Sequence, residues 1–180
     1  MSIIQDITEK YYGKYSAESE KSFNSPVGKH SFQQKKGIIE IDGTKISINL
    51  NAVKGATYGT EPFRITLHLN KTYTIKFSAF PKSLWHRFLD FLIPSRVVLI
   101  PKSVRNQFLF GGDKDIIKNI VSDEIFIKNI ANEKLYIGTM AKPTNKIILT
   151  PAHGIKDMKQ FEKFISILKC VQKTIEENAP

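Results

Sequence analysis

The sequence predicts an α+β fold: an antiparallel sheet built from β-hairpins, with helices packed on one face and a long C-terminal helix. Three observations carry this. Asp42-Gly43 separates two runs of alternating apolar and polar residues, the pattern of a hairpin whose tight turn needs positive φ. The alternation puts Ile46, Ile48 and Leu50 on one face and Lys45, Ser47 and Asn49 on the other, so one side of the sheet is wet. Strand and helix periods also come in separate runs and do not strictly alternate.

From the N-terminus, Ser2 followed by Gln5 has the form of a capping box, and Ile3, Ile4, Ile7 and Tyr11 recur at helical spacing to about Tyr12. Ser16 to Lys36 is rich in Ser, Lys, Glu and Gln and reads as an irregular arm anchored by Phe23 and Phe32. Residues 1–36 are thus expected to be a helix and arm, and residues 37–178 a single α+β domain. After the 37–50 hairpin comes a loop from Asn51 to Pro62 with Gly55 and Gly59. Phe63, Ile65, Leu67 and Leu69 then alternate, Asn70-Lys71 supplies a turn, and Tyr73, Ile75 and Phe77 complete a four-stranded meander.

Between Pro81 and Leu92 the period changes: Leu84, Trp85, Phe88, Leu89 and Leu92 mark a helix stopped by Pro94. Short buried strands are expected at Val97–Ile100 and Phe108–Phe110. Gly111-Gly112-Asp113 ends the second, and Asp113 is placed to cap a helix carrying Ile116, Ile117, Ile120 and Val121. A further short helix runs through Ile125, Ile127 and Ile130. Leu135–Thr139 and Lys146–Leu149 make a hairpin across Ala141 to Asn145. Last, Asp157 caps a helix whose stripe is Phe161, Phe164, Ile165, Leu168, Val171 and Ile175.

Composition narrows the functional classes. With 41% hydrophobic and 24% charged residues in 180, the chain is globular and able to bury a core. The net charge is +10, but 23 of the 27 basic residues are lysine; the four arginines are Arg64, Arg87, Arg96 and Arg105. Lysine is a hydrated point charge and arginine the commoner reader of phosphates and base edges, so the charge alone is weak support for nucleic-acid binding. Asp6 stands where a secretory leader needs basic residues, and the most apolar stretch, Leu84 to Ile100, is broken by charges and Pro94. The expected location is cytoplasmic. One cysteine, Cys170, cannot make an intramolecular disulfide and sits in a helical apolar stripe as a core thiol.

The chemical constellations sought are missing from the pattern. His30, His68, His86 and His153 show none of the spacings of local metal motifs, so no metal or cofactor is expected. There is no Gly-x-Ser-x-Gly elbow and no cysteine with a base nearby, so no catalytic residue is assigned. Gly111-Gly112-Asp113 lacks the flanking residues of a phosphate loop and reads as a strand-to-helix turn. The binding residues proposed from sequence are Trp85, Arg87, Arg96, Lys102 and Arg105, where guanidinium and aromatic groups cluster as they do in protein hot spots and anion-binding surfaces.

From Phe77 onward the layout resembles a group of uncharacterised bacterial α+β domains. The matching stretch is Gln107-Phe108-Leu109-Phe110-Gly111-Gly112-Asp113, then Ile116 to Val121, Ile125 to Ile130, Leu135 to Ile137 and Phe161 to Ile175. The resemblance covers roughly residues 77–177 and lends no catalytic residue; it implies a non-enzymatic accessory domain. The leading expectation is therefore a protein-interaction domain whose partner is another protein or a second copy of itself. The alternatives are a basic binder of nucleic acid or anionic membrane, and a ligand binder or enzyme with a pocket assembled from distant segments.

Overall fold

The computed structural model describes residues 2–26, 28–54, 63–82, 100–139 and 142–178. Helix α1 (Ile3–Lys10) leads into β1 (Lys14–Ala17), β2 (Lys21–Ser25), β3 (Gly28–Ile41), β4 (Thr44–Lys54), β5 (Phe63–Tyr73) and β6 (Phe77–Pro81). Then come α2 (Lys102–Arg105), β7 (Phe108–Gly112), α3 (Lys114–Ser122), α4 (Glu124–Ile130), β8 (Leu135–Thr139), β9 (Thr144–Pro151) and α5 (Met158–Asn178). The strands form one antiparallel sheet in the order β1-β3-β4-β5-β9-β8-β6-β7, with β2 also on β3. The predicted class holds.

The β3–β4 hairpin turns at Asp42-Gly43, with φ of 49° and 70°, the pair of positive values that made Asp-Gly informative. Its core face carries Ile39, Ile46 and Ile48, and β5 and β9 add Ile65, Leu67, Ile147 and Leu149. Helix α5 lies over this face with Phe161, Phe164, Leu168, Val171 and Ile175 buried. Each such side chain contributes about 1.5–3 kcal/mol by leaving water. Asp157 caps α5 as expected, accepting from the Gln160 N–H at 2.8 Å. Asp123 likewise caps α4 through the Phe126 N–H at 3.0 Å. Beside α5, α1 packs on β3 at Gly37, where a Cβ would come within 2.8 Å of Thr8 Cγ2 and 2.9 Å of Ile4 Cγ2. Tyr11 meets Phe161 edge-on at 6.0 Å, and Lys10 pairs with Glu162, tying the two helices together.

Several expectations are corrected. The 16–36 segment is strand over most of its length and not an irregular arm. Its residues are polar on both sides of the pleat, so no apolar alternation marks them. The side chains of Phe23 and Phe32 lie outside those described. No capping bond comes from Ser2; Gln5 donates to Glu9 instead. Asn70-Lys71 does not turn the chain. The strand continues through it with a shift of register between His68 and Tyr73, and the four-stranded meander is replaced by β5 pairing with β9. Lys102–Arg105 is a helix that the sequence reading did not include. The expected helix at 81–92 and strand at 97–100 lie outside the described residues, as does the loop with Gly55 and Gly59; within the described part, Pro81 ends β6.

Residues 74–76 carry the chain from β5 to β6 past β9 and β8. Three strand spacings are about 14 Å, and the four Cα steps from Tyr73 to Phe77 reach about that far only when extended. Thr139 joins this crossing to β8, its hydroxyl accepting from the Phe77 N–H at 3.1 Å.

Candidate functional site

Of the five sequence-proposed binding residues, Trp85, Arg87 and Arg96 lie outside the described residues. Lys102 is exposed and Arg105 half-buried on α2, and no convergence of the five is described. Cys170 is buried, as expected, and burial, followed by the nearby Asp123 carboxylate, pushes its thiol up to about 11, far from a reactive thiolate. Among the described residues no cluster of His, Cys, Asp and Glu could hold a metal. Nor, among the described residues, is any helix long and apolar enough to cross a membrane.

The sheet face turned away from the helices holds a different constellation. Pairing registers place Ile38, Ser47, Thr66, Ile148, Gly138, Ser78 and Gly111 in one row across β3, β4, β5, β9, β8, β6 and β7. The row is buried in its middle, at Thr66, Ile148 and Gly138, and keeps some exposure at Ile38, Ser47, Ser78 and Gly111. Basic groups stand beside it: His68 is flanked across the strands by Lys146 on β9, with Lys45 opposite Glu40 on β4. Burial lowers the His68 pKa, and the charges of Lys45 and Lys146 lower it further. Ser47 Oγ lies 2.8 Å from His68 Nε2. Arg64, opposite Asn49, is exposed on the other side of the row.

Three large apolar side chains emerge on the same face: Ile38, Phe80 and Tyr136, 42, 38 and 39% exposed. Phe80 and Tyr136 occupy adjoining positions of paired strands, one step from the Ala79–Ile137 pair. Tyr136 leans along its own strand, its hydroxyl 3.0 Å from where a Cβ on Gly138 would sit. That Cβ would also lie 2.7 Å from the Phe77 carbonyl oxygen. Glycine here leaves room for the hydroxyl end of Tyr136.

The alternation of β4 already placed Lys45, Ser47 and Asn49 on this wet side of the sheet; the aromatic groups and the residues of β8, β9 and β6 that share it were missed. Alternation alone puts Tyr136 opposite Leu135 and Ile137, which is the local signal available. That Tyr136, Phe80, Lys146 and Arg64 share one face depends on β9 and β8 entering between β5 and β6, and no local pattern encodes that.

Concavities lie elsewhere, one of about 520 Å³ beside Pro81, Lys82, Gln107 and Lys134. A cavity of about 160 Å³ is lined by Glu133, Lys134, His153, Lys156 and Gln160; within it Glu133 accepts from Lys163 Nζ at 2.7 Å and Gln160 Nε2 at 3.1 Å. A cleft beside the β3–β4 turn is lined by Thr44, Lys169 and Gln172, which hydrogen-bond one another. These last two are closed networks of structural bonds.

No protein family, curated protein or solved structure matches the chain.

Proposed function

We propose that this chain is a non-enzymatic interaction domain that engages its partner through the open sheet face. The observation that carries the reading is the emergence of Ile38, Phe80 and Tyr136 on one face, beside unpaired basic groups. Exposed aromatic groups bordered by polar residues mark interaction surfaces. Elsewhere Tyr12, Tyr15 and Ile125 are also exposed, at 98, 36 and 58%, but on separate elements after α1, on β1 and on α4.

Site-specific photocrosslinking tests this. A benzoyl-phenylalanine replacing Phe80 should yield a discrete adduct in cells, and the same group replacing Ile125 should not. Equal labelling from both positions would remove the open face as the interaction surface. Discovery of a turnover abolished by His68→Gln, with the fold intact, would overturn the non-enzymatic reading.

A further inference from the structure

We infer that the partner of the open face is a single-stranded nucleic acid, bound without sequence preference, an inference that rests on the reading of that face as the interaction surface. Charge is the first argument. Lys45, Arg64 and Lys146 make no ion pair within 4.0 Å among the described residues, and their strands bring them to one face of a chain with net charge +10. Glu40, across from Lys45, is the acidic exception. Burial is the first cause of the depressed basicity of His68, and the charges of the two lysines beside it lower it further. A polyanion is the complement of such a face.

The shape of the aromatic groups selects among polyanions. The hydroxyl end of Tyr136 reaches over Gly138 while the side chain stays 39% exposed, and Phe80, 38% exposed, stands on the adjoining position of β6. Flat rings on an open sheet are stacking platforms, and stacking is indifferent to sequence because every base has a π-face. An acidic peptide presents flat groups there only where it carries aromatic residues.

In the row between the basic and aromatic groups Ser47 and Ser78 keep partial exposure, while Thr66 and Gly138 are buried, so a bound chain would run over the flanking side chains. From β4 to β6 the row spans about 19 Å at the usual strand spacing.

The test is fluorescence anisotropy of a labelled oligo-dT or oligo-U of about 20 nucleotides with the full chain, titrated at several salt concentrations. Binding at 50 mM salt is expected, with log affinity falling linearly against log salt and duplex of the same length bound more weakly. Tyr136→Ala and Phe80→Ala should each weaken binding about 5- to 100-fold, and Tyr136→Phe should not. Lys146→Ala should reduce the salt slope by about 0.7. Absence of binding at 50 mM salt would overturn the inference, as would binding insensitive to both aromatic substitutions. Equal or tighter binding of poly-glutamate or phosphatidylglycerol vesicles with the same Tyr136 dependence would assign the face to an acidic peptide or a membrane instead. A protein adduct from position 80 without oligonucleotide binding would leave the interaction face standing and remove the nucleic acid.

Discussion

Lys76 and Asp113 hold each other in both directions: the Lys76 N–H donates to Asp113 Oδ2 at 2.7 Å, and the Asp113 N–H donates to the Lys76 carbonyl at 2.8 Å. Asp113 occupies the N-cap position of α3, yet its carboxylate makes no capping bond. It serves instead to pin the extended crossing between β5 and β6. Gly112, at φ 122°, passes so close that a Cβ would overlap the Lys76 carbonyl oxygen.

Two substitutions separate these contributions. Asp113→Ala should cost about 1–3 kcal/mol, since a backbone N–H loses a charged acceptor. Gly112→Ala should cost about 2 kcal/mol or more, from its positive φ and the displaced carbonyl. Urea unfolding of each variant against wild type measures both. An Asp113→Ala variant as stable as wild type would mean that water replaces the carboxylate without loss.

The β3–β4 turn is fastened from the opposite side. Lys169 on α5 donates to the Ile41 carbonyl at 2.9 Å and to Thr44 Oγ1 at 2.8 Å, with Asp42 Oδ2 at 3.8 Å. Lys169→Met keeps the stem and removes the charged donor, and should destabilise by about 1–3 kcal/mol. Asp42→Asn should change stability by less than about 1 kcal/mol, because Asp42 is 83% exposed and water screens the pair. Thermal or urea unfolding of the two variants gives the comparison. A larger effect at Asp42 than at Lys169 would show that the ion pair, and not the two hydrogen bonds, holds the turn.

Cys170 should behave as a core side chain throughout. With its thiol raised to about 11, alkylation by iodoacetamide at pH 8 should be slow in the folded protein and rapid in urea. Cys170→Ala should destabilise by about 1–2 kcal/mol by leaving a small void. Mass spectrometry of timed aliquots reports the alkylation, and fast labelling without denaturant would show that α5 opens readily.

The elements that local chemistry encodes were legible in the sequence. The Asp42-Gly43 turn, the α5 stripe with its Asp157 cap, and the paired short helices α3 and α4 each carry their own signal within a dozen residues. Strand order was not legible. Asn70-Lys71 looks like a turn because polar residues separate two alternating runs, but the partner of β5 there is β9, more than seventy residues away. Ile148 shows the same limit from another side. Beside Ile147 and Leu149 it makes an unbroken apolar run, and it is buried on the open face near Gly138, a neighbour supplied only by the β8–β9 register. Tyr136 and Phe80 remained hidden as a pair because their adjacency is a property of the assembled sheet.

His68 gives the open face a pH dependence with a definite sign. Its folded-state pKa lies below the ordinary 6.5, first because burial disfavours the imidazolium and then because Lys45 on β4 and Lys146 on β9 repel it. Ser47 Oγ, 2.8 Å from Nε2, bonds the ring whether it is neutral or charged. The unfolded chain therefore takes up a proton at higher pH than the folded one. His68's contribution to stability is full above pH 6.5 and is lost as the pH falls through the lowered folded value. His68→Gln should flatten the stability profile in that acidic window while leaving it unchanged above pH 7, measured by urea unfolding at intervals from pH 5 to 8. Oligonucleotide binding should act in the opposite sense, because phosphates beside Lys45 and Lys146 favour the imidazolium. NMR titration of the His68 ring should then show its pKa rising when oligo-dT is added, and a ring that titrates identically with and without the oligonucleotide would place the bound phosphates away from His68.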